Sequence, residues 1–185
     1  MTPAKRALDL LLVLLAGLLL ALPLLAIALW VRLTSPGPAL YWSQRVGRNN
    51  RIFAMPKFRS MRIDTPQVAT PLLKRLTPIG SFLRRSSLDE LPQLWNILTG
   101  EMSFVGPRPA LHNQQDLTAL RTHHGVHRLM PGLTGWAQIN GRDELPIDQK
   151  VALDAWYLQH RSLALDLRIL VHTALKVLQR DGVSH

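Results

Sequence analysis

Hydrophobic and polar positions divide the chain into a long apolar run near the N-terminus and a mixed remainder. Residues Leu10 to Val31 include no charged side chain. A helix of about 20 apolar residues crosses the hydrocarbon core of a bilayer, so this run is long enough to enter a membrane. It is too long for the apolar core of a secretory signal peptide, roughly 7–15 residues, and no small-x-small cleavage site follows Trp30. The pattern therefore predicts a membrane helix rather than a signal peptide.

The charges around this run bear on its topology. Lys5 and Arg6 precede it, and several basic residues follow it from Arg32 onward. Because basic residues mark the cytoplasmic side of a membrane segment, both flanks indicate the same side. Pro23 lies inside the run, where a proline removes one backbone hydrogen bond and kinks a helix. These observations favour a re-entrant helix, bent at Pro23, over a single spanning helix. The predicted re-entrant anchor comprises residues 1–36.

The remainder of the chain, residues 37–185, alternates short strand-like runs, turns and helical periods. Two strand-like runs flank a turn-prone Gly-Arg-Asn-Asn segment, which is typical of a β-hairpin. Further on, apolar residues spaced three to four apart predict helices. The sequence thus predicts an α+β fold, mostly helical, with a small β-hairpin and amphipathic helices at the membrane interface. The predicted strands are Ala39–Trp42 and Arg51–Ala54 around the turn Gly47–Asn50, the helices are Ser87–Leu98, Leu111–His124 and Asp148–His160, and the loops include Gly100–Pro109 and Pro131–Gly141.

The last predicted helix is the clearest, and it ends near Gly182. Apolar residues recur along one stripe and basic residues along another, as in a helix with two unlike faces. The apolar stripe packs either on the core of the domain or, if the helix lies on a membrane, among anionic headgroups. The apolar positions are Leu167, Leu170, Val171, Ala174, Leu175 and Leu178, and the polar ones are Arg168, His172 and Lys176.

Composition narrows the class of protein. The chain of 185 residues has a net charge of +10, a pI near 11.2 and 47% hydrophobic residues. A disordered basic tail would lack that apolar content, and the absence of cysteine excludes disulfide scaffolds and thiol nucleophiles. The cations are scattered between apolar motifs, without the basic helix or aromatic-basic strand typical of nucleic-acid binding. The charge therefore indicates anionic lipid and phosphate as partners, and no nucleic acid.

Asp89 and Glu90 are adjacent acids with catalytic potential. In a structural interpretation, the serine three residues before Glu90 forms a capping box with it, although Pro92 would lie too deep in a helix capped by that serine. In a functional interpretation, one carboxylate attacks phosphorus and the other binds Mg²⁺, a cation that prefers carboxylate and phosphate oxygens. The dipeptide Asp143-Glu144, which also follows an arginine, is a rival pair. The pattern by itself does not choose between the two.

Candidate phosphate-binding residues lie elsewhere along the chain. Arg108 lies between two prolines, which restrict its backbone and hold its guanidinium fork ready for a phosphate, unless the segment is a solvated turn. The segment Gly132–Arg142 is glycine-spaced, as in loops that let the backbone approach a ligand, but tight turns show the same spacing. Lys57 lies in a strand-like segment, where an exposed face is the default interpretation.

Four motifs follow one another along the chain: Lys57–Met61, Ser87–Asn96, Met102–Pro109, and Pro131–Gln138 with its continuation to Arg142. In this order they closely resemble the bacterial sugar transferases, and among these the monotopic polyprenyl-phosphate phosphoglycosyl transferases. The resemblance extends over nearly the whole chain. The short length matches the minimal catalytic form of that family, without the extra spanning helices of its larger members.

The resemblance implies an enzyme that transfers a sugar 1-phosphate from a UDP-sugar to membrane polyprenyl phosphate and releases UMP. It further implies that Asp89 attacks the sugar-proximal phosphorus to form a covalent aspartyl-phosphosugar, and that Glu90, with Asp89, holds Mg²⁺. The expected location is the cytoplasmic face of the bacterial inner membrane, with the catalytic domain packed on the phospholipid surface. The cations that match the family's phosphate-binding positions are Lys57, Arg84, Arg108 and Arg142.

The chain departs from the family pattern at two positions. Members often have Ser-Pro at the helix bend, where this chain has Leu22 before Pro23, and they often have arginine where this chain has Met130. Two later acids of the family match Asp154 and Asp166, for which a structural role competes with a catalytic one.

The alternative from another class is a non-catalytic anchored protein whose basic face binds anionic lipid. No oligomeric state is predicted.

Overall fold

The computed structural model describes residues 1–63, 65, 75–141 and 145–179 of the chain. Its architecture is α+β and mostly helical, which confirms the predicted fold class. The helices are α1 (Pro3–Thr34), α2 (Gly80–Arg85), α3 (Leu94–Thr99), α4 (Gln115–His123), α5 (Trp136–Ile139), α6 (Ile147–His160) and α7 (Leu163–Gln179), and the strands are β1 (Leu40–Val46), β2 (Ile52–Phe58), β3 (Ser103–Val105) and β4 (Gly132–Thr134).

The β-hairpin predicted after the anchor is present. β1 and β2 pair antiparallel from Leu40 opposite Phe58 onward, so both strands are longer than the sequence pattern indicated. A 3₁₀ turn, Arg48–Asn50, joins them, and Asn49 has φ 55° there. Asparagine tolerates this left-handed conformation because its short polar side chain bonds locally. The hairpin therefore turns at the predicted Gly-Arg-Asn-Asn segment, but its connection is shorter than the long turn that the two short predicted strands implied.

A parallel strand pair, β3 with β4, lies where the sequence predicted only loops. Strands of three residues are too short to show an alternating pattern, so sequence periodicity could not reveal them. Glycines allow the close approach: a Cβ on Gly132 would lie 2.1 Å from the Gly106 nitrogen, and one on Gly135 would lie 2.1 Å from the Gly106 oxygen. The glycine spacing after Pro131 thus serves backbone packing.

Helix α1 is continuous for 32 residues and includes Pro23 in its interior. The Thr2 hydroxyl accepts a hydrogen bond from the Lys5 backbone N–H and so caps its start. At 1.5 Å per residue its length is about 48 Å. Among the described residues it is the one helix long and apolar enough to cross a membrane. It ends at Thr34, because the next residue, Ser35, has an extended backbone and precedes a proline that does not continue a helix.

Both halves of α1 pack on the same domain. Val13, before Pro23, is buried in a cluster with residues of β2 and α3. Ile27 and Val31, after Pro23, are buried in a second cluster with residues of β2 and α2. The domain therefore contacts α1 on both sides of Pro23. The opposite, exposed face of α1 carries Leu11, Leu14, Leu15, Leu18, Leu19, Leu22, Leu25, Leu29 and Leu33.

Polar contacts fasten the N-terminal end of α1 to the domain. Lys5 Nζ lies 2.6 Å from Asp166 Oδ2, and Asp166 also accepts a hydrogen bond from a tyrosine of α6. Arg6 donates to the Leu98 carbonyl at 2.7 Å, one of the free carbonyls at the end of α3. Asp9 accepts from a backbone N–H of β3 at 3.1 Å. The basic residues that the sequence assigned to the membrane flank therefore also bind the domain, and Asp166 has a structural role.

Helix α7 presents its apolar stripe to the outside. Ile169 is buried and Leu170 partly buried in the core, whereas Leu167, Val171 and Leu175 are exposed, Val171 by 58%. The helix therefore packs on the core, as one alternative predicted, but it does so through Ile169 and Leu170 and not through the whole predicted stripe. The exposed stripe leaves the interfacial alternative. Gly182 lies outside the described residues, as does the side chain of Leu178.

We expect both ends of α1 to be accessible from one side of a membrane, because both contact one domain. Ala4→Cys and Gln44→Cys introduce single thiols at exposed positions of a cysteine-free chain. In sealed vesicles, both should react with a membrane-impermeant maleimide added to the same side. Leu18→Cys, on the exposed leucine face, is the control and should be protected from either side. Labelling of the first two from opposite sides would show that α1 spans the membrane.

Candidate active site

The adjacent acids Asp89 and Glu90 lie in a short 3₁₀ helix, Leu88–Gln93, directly before α3. Ser87 precedes it with φ 55° and caps no backbone N–H with its hydroxyl, so the predicted capping box is not formed. Pro92 gives the physical reason, because a proline has no N–H for an α-helical bond at this position. The chain therefore makes a tighter turn around the acids and becomes α-helical only from Leu94.

Glu90 is paired with two cations from other parts of the chain. Its Oε1 lies 2.7 Å from Lys57 Nζ in β2 and 2.8 Å from Arg108 Nη2, and Arg108 Nη1 lies 3.4 Å from its Oε2. Burial raises the pKa of Glu90, but the charges of Arg108 and Lys57 outweigh burial and hold that pKa well below its usual range. Glu90 is therefore a fixed negative charge at working pH.

Asp89 has a different environment from its neighbour. Asp89 is only 7% exposed, and its carboxylate has no hydrogen-bond partner within the described part of the chain. Burial raises the pKa of Asp89 to about 6, with a contribution from Glu90 and against the opposing charges of Lys57, Arg84 and Arg108. Two neighbouring carboxylates with separated pKa values are typical of sites that assign them different roles.

The structure brings together three of the four predicted cations. Lys57 and Arg108 bind Glu90 directly. Arg84, in α2, donates from Nε to the Ser60 hydroxyl at 3.0 Å and acts on Asp89 through its charge. The site thus combines a free carboxylate, a paired carboxylate and three cations, a set suited to phosphate chemistry. Arg142 and the rival pair Asp143-Glu144 lie outside the described residues.

Arg108 is positioned by a second charged pair that sequence reasoning did not use. Its backbone carbonyl accepts a hydrogen bond from Arg121 Nη1 at 2.7 Å. Arg121 also binds Asp154 Oδ2, at 3.0 Å from Nε and 2.7 Å from Nη2. Asp154 is buried, and burial raises its pKa against the effect of Arg121. Asp154 therefore has a structural role, which holds α4 and α6 against the Arg108 segment.

The two acids offer the donors that Mg²⁺ takes. Mg²⁺ is usually bound by one or two carboxylates, with substrate phosphates and water completing six oxygens. Among the described residues Asp89 is unpaired, and Glu90 Oε2 has only the 3.4 Å contact with Arg108, so both retain acceptor capacity. Within residues 1–63, 65, 75–141 and 145–179, no group of three or more His, Cys, Asp or Glu side chains forms a complete metal site. A Mg²⁺ ion held by these two acids would take its other oxygens from water or from substrate phosphates.

Comparison with known proteins gives one consistent result. Residues 1–180 match the family model for bacterial sugar transferases. The chain is similar to a UDP-glucose:undecaprenyl-phosphate glucose-1-phosphate transferase of Xanthomonas campestris pv. campestris, 47% identical over 167 residues, which cover 84% of this chain and 34% of that protein. A protein of the same name from Escherichia coli (strain K12) is 42% identical over 183 residues, 93% of this chain and 39% of that protein.

A shorter relative is matched over most of its length. The uncharacterised sugar transferase EpsL of Bacillus subtilis (strain 168) is 42% identical over 157 residues, which cover 83% of this chain and 76% of that protein. In contrast, the chain spans little more than a third of the two longer relatives. The similarity to those proteins therefore concerns one part of each of them.

The charge of Glu90 contributes to the raised pKa of Asp89, which gives a test of the site's electrostatics. In Glu90→Gln we expect the pKa of Asp89 to fall from about 6 toward its ordinary range, because a negative neighbour is removed and Lys57 and Arg108 remain. Carbon-13 NMR of the aspartate carboxyl groups measures this titration in detergent micelles. Glu101→Gln, which removes a carboxylate that does not act on Asp89, is the matched control. An unchanged or higher pKa in Glu90→Gln would contradict this description of the site.

Proposed function

The chain belongs to the bacterial sugar transferase family, and from that premise we propose that it transfers a sugar 1-phosphate from a UDP-sugar to a membrane polyprenyl phosphate and releases UMP. The observation that carries the proposal is the Asp89 carboxylate, which is buried and unpaired among cations beside the ion-paired Glu90. The names of the longer relatives supply the substrate classes, a UDP-sugar and a polyprenyl phosphate.

In the proposed first step, Asp89 is the nucleophile. A carboxylate oxygen forms a bond to the phosphorus that carries the sugar, and the bond from that phosphorus to the bridging oxygen breaks. UMP leaves with that electron pair, and an aspartyl-phosphosugar remains. A pKa of about 6 leaves Asp89 largely ionised at neutral pH. A carboxylate without hydrogen-bond partners keeps an oxygen available for attack on phosphorus.

In the proposed second step, an oxygen of polyprenyl phosphate attacks the same phosphorus. The bond between phosphorus and the Asp89 oxygen breaks, which restores the carboxylate and gives polyprenyl-diphosphate-sugar. Because an ionised phosphate attacks and a carboxylate leaves, neither step needs a general base. Two displacements at one phosphorus require charge neutralisation above all.

The cations around the dyad supply that neutralisation. Lys57 and Arg108 are fixed by Glu90, so they are in place before substrate binds and need little reorganisation. Arg84 is fixed by Ser60 and lies close enough to lower the pKa of Asp89. Bound Mg²⁺, held by Asp89 and Glu90 with the substrate's phosphates, would supply further neutralisation of the diphosphate. We propose Arg142 as a fourth phosphate-binding residue on the basis of its sequence motif alone.

The membrane arrangement follows from the exposed apolar faces. The leucine face of α1 and the stripe of Leu167, Val171 and Leu175 on α7 are both exposed, and apolar surface of this extent is stable in contact with lipid. With both ends of α1 on one domain, we propose that α1 is re-entrant and that the domain lies on the cytoplasmic face of the bacterial inner membrane. Pro23 is the proposed bend, and Leu22 beside it offers no hydroxyl to satisfy a freed carbonyl.

Asp89→Asn tests the function directly. The substitution keeps the size of the side chain and removes the nucleophile, so UMP release from UDP-sugar should fall by roughly a thousand-fold or more. A panel of UDP-sugars with polyprenyl phosphate in nanodiscs provides the assay, with UMP as the readout. Asp116→Asn, an exposed aspartate of α4, is the control and should retain full turnover. Unchanged turnover in Asp89→Asn would overturn the proposal, and membrane binding without turnover in either chain would favour a non-catalytic anchored protein.

A further inference from the structure

Arg59, directly after β2, is a buried cation that the proposed reaction does not use. It is 5% exposed, and its Nη2 donates to the Ser35 carbonyl at 2.9 Å and to the Ser35 hydroxyl at 2.7 Å. Its Nε and Nη1 are buried without a hydrogen-bond partner in the described part of the chain. A buried guanidinium with unpaired donors is costly, so these donors call for an acceptor.

A second cation lies beside it, and neither cation has a carboxylate partner. Arg32 donates from Nη1 to the Gly37 carbonyl at 3.3 Å, and its side chain is otherwise exposed. The salt bridges found among the described residues involve Lys5, Lys57, Arg108 and Arg121 as cations. Burial, and then the charge of Arg32, lower the pKa of the Arg59 guanidinium. An anion between the two guanidinium groups would relieve both effects.

Gly37 lets the unpaired donor pack directly against the backbone. It has φ +102°, and a Cβ built on it would lie 2.3 Å from Arg59 Nη1 and 2.5 Å from Ile63 Cδ1. Any other residue at this position would therefore displace the Arg59 guanidinium. Ile63, the other side chain against Gly37, is 67% exposed. An anion bound at Nη1 would therefore displace the exposed side chain of Ile63 rather than a buried one.

Arg32 and Arg59 lie where α1 ends. Trp30 and Leu33, in the last turn, are exposed, and α1 ends at Thr34, so the apolar face stops immediately before Ser35 and Gly37. Tryptophan is favoured at the headgroup level of a membrane. The anion most abundant at that level is the phosphate of a lipid.

We propose that Arg32 and Arg59 bind the phosphate of a membrane lipid at the end of α1. Two guanidinium groups without carboxylates match a doubly charged phosphomonoester better than a singly charged phosphodiester. The proposed lipid-phosphate site is separate from Lys57 and Arg108, the two cations that bind Glu90. It is nevertheless close to the active site along the chain, since Ser60, the residue after Arg59, accepts a hydrogen bond from Arg84. Identification of the lipid as the acceptor polyprenyl phosphate rests on the proposed function, whereas the binding of a lipid phosphate does not.

Lipid binding without turnover tests this inference. The full chain carrying Asp89→Asn is titrated in phosphatidylcholine nanodiscs with polyprenyl phosphate or with phosphatidylglycerol, and separately with inorganic phosphate in solution. Native mass spectrometry counts the bound lipid. Arg32→Gln should weaken binding of the lipid phosphate roughly tenfold, about the effect of one charge-assisted hydrogen bond. Arg128→Gln, an exposed arginine of the 3₁₀ turn Val126–Arg128, should leave it unchanged.

The arms of the experiment separate the possible sources. Tighter binding of polyprenyl phosphate supports the site and identifies the acceptor, and equal binding of phosphatidylglycerol supports it as a headgroup site. Equal affinities in Arg32→Gln and Arg128→Gln would overturn the proposal, as would inorganic phosphate that binds as tightly as the lipids. Because Asp89→Asn is used throughout, this result is independent of UMP release, which tests the proposed function on the chain with Asp89 intact.

Discussion

The structure depends above all on one contact, in which Lys57 and Arg108 both bind the Glu90 carboxylate. This contact joins three separate segments: β2, the 3₁₀ helix of the dyad, and the proline-flanked turn after β3. It also satisfies the two cations, so that Asp89 stays unpaired. A buried carboxylate without a partner has a raised pKa. The reactivity proposed for Asp89 is therefore a consequence of how completely Glu90 is paired.

The anchor is part of the fold rather than an appendage to it. Val13 contributes to the cluster under β2 and α3, and Ile27 and Val31 contribute to the one under β2 and α2. Arg6 caps the end of α3, and the 3₁₀ helix of the dyad directly precedes α3. The position of the dyad relative to α1 is thus set by contacts along α1. Mutations on the buried face of α1 affect the site through this packing.

Much of the fold was predictable because local patterns are strong where elements are long. The apolar run of α1, the hairpin turn, the helix Asp148–His160 and the last helix around Leu167 were all predicted from local sequence patterns. The three-residue strands β3 and β4 were not, because they depend on a partner distant in sequence. The predicted capping box does not form, because Pro92 favours a 3₁₀ turn at this point of the chain. The contact of Arg121 with the Arg108 carbonyl had no sequence signal, since it joins a side chain to a backbone atom.

If Asp89 carries the phosphosugar between two half-reactions, as proposed, the covalent intermediate forms without the acceptor. The chain is incubated with UDP-sugar alone, without polyprenyl phosphate, quenched in acid and digested. We expect a mass increase of one phosphosugar on the peptide that contains Asp89, accompanied by stoichiometric release of UMP. UMP release only when polyprenyl phosphate is present, with no adduct on that peptide, would contradict the covalent step and indicate direct transfer.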